Sequence, residues 1–413
     1  MTQPTPVRCP AIEHPDLPPA DPAALGPLLA RLSADRPVEA DEAFPLGTLR
    51  ADGRVDLCKQ GLGPAGAARL LPAAAASAHA THLLLGTNAI GDDGAHALAR
   101  ALAAGADGGA GPDAGAERDA GAERDAAPAA GSSRAATAGH GLRTLYLGCN
   151  RIGPDGVGAL AGALADDTTV RALWLKRNPL FEDGARTLAA LLRRNTALRT
   201  LDLVNTGIGA GGVHLLLDAL LDREQPLERL FLGGNGLDAE AAPLLAALIR
   251  EAGVRELYLP ANHLGDDGVA VLAAAAASSS FGPVRLSLGG NGIGAAGARS
   301  LADALGSIES LDLGRTLSER SLGAPGNDPG DEGAYALAAA LPGSPLRRLE
   351  LRHTGLTGRG AKTLLMAMPA DSRLEYVGLG PGLPRRVKRS FTQRLRPARA
   401  AHPDVLAIGS VYR

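Results

Sequence analysis

The chain has 413 residues, a formal net charge of -2 and only 3% aromatic residues. That balance excludes a global field that would draw in nucleic acid or an anionic membrane. Scarce aromatics beside abundant Ala, Leu and Gly point to thin, uniform core layers rather than one large globular core. Cys9, Cys58 and Cys149 are too few and too widely spaced for a disulfide framework or a zinc site. Arginine supplies nearly all the positive charge, which reads as the codon bias of a GC-rich bacterial genome. The amino terminus lacks a signal-peptide core, and no apolar run approaches the roughly eighteen residues of a membrane span. The expectation is a soluble protein of the cytoplasm.

In chain order, residues 1–52 read as an N-terminal extension and cap. Asp21-Pro22 places an N-cap acid and an N1 proline ahead of Leu28, Leu29 and Leu32, predicting a helix. Asp52-Gly53, between apolar residues of Thr48–Leu57, predicts a hairpin covering the first strand of a repeat array.

Residues 53–383 repeat about every 28 positions. One apolar position recurs at Val55, Leu83, Leu145, Leu173, Leu201, Leu230, Leu257, Leu286, Leu311, Leu349 and, more weakly, Val377. A second apolar residue stands two positions later. Five positions after the first comes Asn88, Asn150, Asn178, Asn235, Asn262 or Asn291, replaced elsewhere by Gln60, Thr206, Thr316 and Thr354. Leucines at helical spacing then come after a glycine, as Leu160 and Leu164 come after Gly156. Alternation makes a short strand with one face inward, and the helical spacing returns the chain along an amphipathic helix. The Asn or Thr side chain can satisfy main-chain groups where the chain leaves the strand. The acids Asp93, Asp155, Asp183 and Asp267 suit the positive end of the helix they open. One unit cannot offset its own ordering entropy, so only a stack is stable.

Leu142 to Leu164, LRTLYLGCNRIGPDGVGALAGAL, resembles the ribonuclease-inhibitor class of leucine-rich repeats, and about ten units match in register. The resemblance implies an α/β right-handed solenoid, a horseshoe with parallel strands on its concave face and helices on its convex face. It also implies protein binding rather than a shared chemistry. Ran GTPase-activating proteins belong to the same class, so regulation of a small GTPase is the alternative. That activity would need Arg177, Asn205 or Arg315 to address a nucleotide held by the partner.

Two stretches interrupt the array. Residues 105–141, with the duplication AGAERD-AGAERD, are low in complexity and predict a disordered insertion. Residues 317–332 predict a second loop on the opposite edge. Residues 384–413 read as a basic C-terminal cap. There Val387, Phe391 and Leu395 form one apolar helical face, and basic residues crowd 385–399, the only hint of nucleic acid or an acidic partner.

Chemistry-bearing motifs are weak. Three GxGxxG matches, at Gly61–Gly66, Gly207–Gly212 and Gly292–Gly297, fall at one repeat position and read as turns rather than dinucleotide sites. No catalytic residue, cofactor or metal site is expected. The functional signal is instead the column between the two strand leucines, which alternation turns away from the core. It holds Tyr146, Trp174, Phe231 and Tyr258, interrupted by Asp202 and flanked by Lys176 and Arg177. The expectation is an exposed aromatic strip that grips a protein or peptide, since Trp and Tyr dominate interface energetics.

Overall fold

A computed structural model describes residues 17–107, 140–317 and 319–410. Asp21 caps the N-terminal turn as its spacing demands, its Oδ1 accepting from Ala23 N, and helix α1 (Gly26–Leu32) comes next. The strands are β1 (Glu42–Ala43), β2 (Thr48–Leu49), β3 (Arg54–Asp56), β4 (His82–Leu84), β5 (Thr144–Tyr146), β6 (Ala172–Trp174) and β7 (Thr200–Asp202). They continue as β8 (Arg229–Phe231), β9 (Glu256–Tyr258), β10 (Val284–Ser287), β11 (Ile308–Asp312), β12 (Arg348–Glu350) and β13 (Tyr376–Gly378). Between them run α2 (Gly63–Ala76), α3 (Gly91–Asp107), α4 (Pro154–Leu164), α5 (Phe181–Arg194), α6 (Gly209–Leu221), α7 (Ala242–Arg250), α8 (Gly265–Ser278), α9 (Ala295–Asp303), α10 (Gly330–Ala340) and α11 (Gly358–Ala367). Helix α12 (Arg385–Arg394) closes the stack, and a short helix α13 (Pro403–Ala407) lies beyond it in the chain.

All these strands form one sheet in chain order. The Asp52-Gly53 hairpin forms as expected: β2 pairs antiparallel with β3, Leu49 opposite Val55, and Gly53 turns with φ +83°. From β3 onward every pairing is parallel, and the sequence ladder is the register, from Val55↔Leu83 through Leu173↔Leu201 to Leu349↔Val377. Leu83 pairs directly with Leu145 despite the long step between them. The insertion expected there lies, for residues 108–139, outside the described residues. Strand leucines such as Leu201 and Leu203 are fully buried against helix leucines such as Leu216, in one continuous core.

The asparagine column stitches neighbouring turns. Asn150 Nδ2 donates to Leu147 O of its own strand and to Leu85 O of the preceding one, while its Oδ1 accepts from Asn88 N. Thr206 and Thr354 satisfy a carbonyl of their own strand, Leu203 and Leu351. One assignment is corrected. In the turn after β11 that role falls to Asn327, whose Nδ2 donates to Leu288 O and Leu313 O, and not to Thr316. The second insertion therefore separates the strand from its own asparagine. The first-turn acids Asp93, Asp155, Asp183 and Asp267 stand where expected, and the position before them has a further role. Asp92, Asp266 and Asp331, one position before the expected column, reach the next repeat and accept from Gly153 N, from Gly294 and Gly297 N, and from Thr357 and Gly360 N. Asp93, Asp155, Asp183 and Asp267 stay exposed in the first turns of their helices.

The glycine motifs are structural. Gly61, Gly207 and Gly292 all have φ near +70° where the strand turns into the helix. Outside the interrupted turn after β11, the residue before the asparagine or threonine is also left-handed, as at Cys149 (φ 59°), Arg177 (φ 56°) and Asn205 (φ 52°). A backbone requirement of the repeat thus sets these positions, whatever side chain stands there.

Candidate functional site

Strand leucines face the helices, so the residues between them face the open side of the sheet. The register sets Leu84 beside Tyr146, Tyr146 beside Trp174, and Phe231 beside Tyr258, with Asp202 between Trp174 and Phe231. Asp202 does not interrupt the strip. Its short side chain lets the Trp174 and Phe231 rings meet, their centroids 5.0 Å apart and tilted by 50°. Phe231 then stacks on Tyr258 at 4.0 Å, with 4° between the planes. Asp202, fully buried, accepts from Val204 N at 2.9 Å. Burial pushes its carboxyl up to about 7, against the opposing pull of Lys176 and of the Val204 N–H. Lys176 lies over the Tyr146 ring, Nζ 5.7 Å from the centroid, and desolvation lowers its pKa. Arg177 stands half-buried beside it.

A column of glycines, not singled out by the repeat pattern, lets neighbouring strands approach closely, and at Gly86 it makes room for a ring. A Cβ on Gly86 would sit 2.4 Å from Tyr146 Cε1, so only glycine fits beneath that ring. The signal is present in the sequence, since Gly86, Gly148, Gly233 and Gly289 occupy one repeat position, each pressed by the following strand: Tyr146, Lys176, Pro260 and Gly314.

The expected exposure of the strip is corrected. Trp174 is 0% exposed, Tyr146 4% and Phe231 5%, while Tyr258 is half-buried. Their cover comes from residues that read in sequence as part of the basic cap. Helix α12 does cap the core with Val387 and Phe391. Arg394 and Arg396 then bind carbonyls of Leu365, Ser372 and Asp371, which accounts for part of the basic run. Beyond Arg399, whose N–H donates to Glu375 Oε2, the chain crosses the open face. Val405 and the fully buried Ile408 pack with Leu84, Tyr146, Trp174 and Phe231. Asp404 Oδ2 accepts from Thr200 Oγ1 at 2.8 Å and lies 3.8 Å from Arg229 Nη1. Ser410 Oγ donates to Asp56 Oδ2 at 3.2 Å, back at the first repeat.

From β8 to the C-terminal end the open face changes character. Ion pairs run Arg229–Glu256 (3.1 Å), Glu256–Arg285 (3.3 Å), Arg285–Glu309 (2.9 Å) and Glu309–Arg347 (3.1 Å), then Arg347–Glu375 and Glu375–Arg399 (3.7 Å). Burial would raise Glu350, but Arg352 and the Tyr376 hydroxyl outweigh it and hold it below its ordinary value. Between this ladder and residues 399–405 lies a cavity of about 450 Å³, lined by Tyr258, Arg285, Asp312, Arg348, Tyr376 and His402 among others. Of the residues considered for GTPase regulation, Asn205 is buried and Arg315 pairs with Glu319 at 3.2 Å. Among the described residues there is no group of three or more His, Cys, Asp or Glu able to hold a metal, and no helix is long and apolar enough to cross a membrane.

Known proteins share the repeat. The family model described as Leucine Rich repeat matches residues 141–161 and 284–302. The ribonuclease inhibitor of Mus musculus is 32% identical over 251 residues, 60% of this chain and 53% of that protein. The ribonuclease inhibitor of Sus scrofa is 33% identical over 177 residues, 42% of this chain and 37% of that protein. The crystal structure of the Rad7 and Elc1 complex in yeast is similar over 81% of this chain and 71% of that chain, with a TM-score of 0.48 and 16% identity. The chain spans about half or less of the length of the curated relatives it matches. It is a leucine-rich-repeat protein, and its repeats are of the ribonuclease-inhibitor-like class.

Proposed function

We propose that this protein is a non-enzymatic scaffold that binds a protein or peptide on the open face of its sheet. Tyr146, Trp174, Phe231 and Tyr258 supply the apolar contact, with Lys176, Arg177 and Asp202 around them. One observation carries the reading: a continuous set of ring contacts, including the chain's only Trp, stands on the side of the sheet away from the core. Core packing does not require rings there, and clustered aromatics are what interface hot spots are made of. The ribonuclease-inhibitor-like repeats favour protein binding over chemistry.

The test is affinity capture from the native host with wild type, Trp174→Ala and Arg186→Glu, the last an exposed substitution on α5. A specific partner should be lost with Trp174→Ala and kept with Arg186→Glu, both variants remaining folded by circular dichroism. The reverse pattern would place binding on the helical side and remove this reading.

A further inference from the structure

Residues 399–410 lie on the open face without joining the sheet. Among the described residues, no main-chain hydrogen bond links 400–410 to any strand, because each central strand is already paired on both sides. Three side chains of α13 and its C-cap make the principal attachment. Asp404 meets Thr200 and Arg229, while Val405 and Ile408 sit against the rings. Asp404 and Ile408, four positions apart, lie on one side of this turn with Val405 at its border, so the footprint is single and small. Leu406, on the other side of the turn, is 52% exposed. Such an attachment resembles a helix laid in a groove, where a few anchors on one face carry the recognition.

We propose that residues 399–410 are a displaceable strap occupying the partner groove, and that the partner displaces them with the same chemistry. That chemistry is a short helical peptide carrying an acid, with aliphatic residues one and four positions later. This rests on the reading of the open face as the protein-binding surface. The acid goes to Thr200 and Arg229, and the aliphatic pair goes onto Trp174 and Phe231. Intramolecular occupancy means that a competing peptide meets the groove only in the fraction of molecules whose strap is lifted, so its apparent affinity falls by that fraction. The strap therefore sets a threshold: weak apolar encounters fail, and a ligand that also supplies the acid succeeds.

The chain carries its own reporter, because its only Trp lies beneath the strap. Full-length wild type, Ile408→Asp and Asp404→Lys are compared by Trp emission and by binding of a fluorescein-labelled peptide with the sequence of residues 399–410. Ile408→Asp should shift emission to the red and bind the peptide at least about tenfold more tightly than wild type, with emission returning toward the blue as the peptide saturates. Asp404→Lys leaves Ile408 in place and should move both readouts in the same direction by less. The same peptide carrying Ile408→Asp should bind none of the three proteins. Equal peptide affinity for wild type and Ile408→Asp, or unmoved emission, overturns the strap. Loss of the cooperative thermal transition in both variants also overturns it, since the segment would then belong to the folding core. If the strap fails while Trp174→Ala still abolishes partner capture, the open-face reading stands. If capture is also indifferent to Trp174→Ala, both fall.

Discussion

The two halves of the open face are built on the same backbone, yet they treat the same crossing segment differently. From β4 to β9 the outward column is apolar apart from the buried Asp202, and α13 and its C-cap sit on it with Val405 and Ile408 against the rings. From β9 to β13 the outward side chains are alternating arginines and carboxylates, and the crossing chain stands off, leaving a cavity of about 450 Å³. Covering rings gains hydrophobic free energy, whereas covering a ladder of ion pairs costs desolvation that a small strap cannot offset. The contrast shows that the inward columns set stability and are shared by both halves, while one or two outward columns set what each half can hold.

The largest effect should ignore that division. Leu203→Ala under the apolar half and Leu313→Ala under the charged half each remove a fully buried core side chain. Each should cost about 2–5 kcal/mol in chemical denaturation. Near-neutral stability for either would show that its half lacks the shared core.

The halves should diverge with pH. Asp202, pushed up to about 7 by burial, holds a proton in the folded molecule that the unfolded chain releases above its ordinary 3.8. Its contribution to stability is therefore fullest below about pH 4, falls by up to about 1.4 kcal/mol per pH unit between about pH 4 and 7, and levels off above. Glu350, held below its ordinary value, acts the other way, losing stability as acid protonates it. Asp202→Asn should raise the melting temperature at pH 8 and change it little at pH 4. An equal gain at both values would disconnect the pH response from this carboxylate.

Trp174→Ala comes next. A wholly enclosed ring would cost about 3–5 kcal/mol, but here one side of the cover is a five-residue helix that can settle into the gap, so about 1–3 kcal/mol is expected. A cost at the upper limit for a core aromatic would mean that the strap is rigidly part of the core.

The smallest effect belongs to the charged half. Arg285 is 38% exposed and bridges Glu256 and Glu309, so Arg285→Ala should cost about 0–1 kcal/mol. Salt at about 1 M should shrink that difference and leave the Trp174→Ala difference unchanged. Salt sensitivity in the tryptophan variant would blur the two regions into one.

Read alone, the sequence determined the repeat, its register from Val55 to Val377, the asparagine stitching and the side of the sheet on which Tyr146, Trp174, Phe231 and Tyr258 stand. These come from local periodicity: alternation along a strand and helical spacing after it are written within each unit of about 28 residues, and stacking repeats them. What only the tertiary structure decided joins residues far apart in the chain. Thr200 meets Asp404, Asp56 meets Ser410, and Ile408 joins the apolar cluster of Trp174. Asn327 takes over the stitching from Thr316 because an insertion can lengthen a loop without moving the geometric position that needs an amide. The closing of the Trp174 and Phe231 rings over Asp202 depends on side-chain reach across two strands, which spacing does not encode. The sequence could place the strip on the open face, but exposure is a property of everything that folds against it. Residues 399–410 carry no repeat pattern that would place them there.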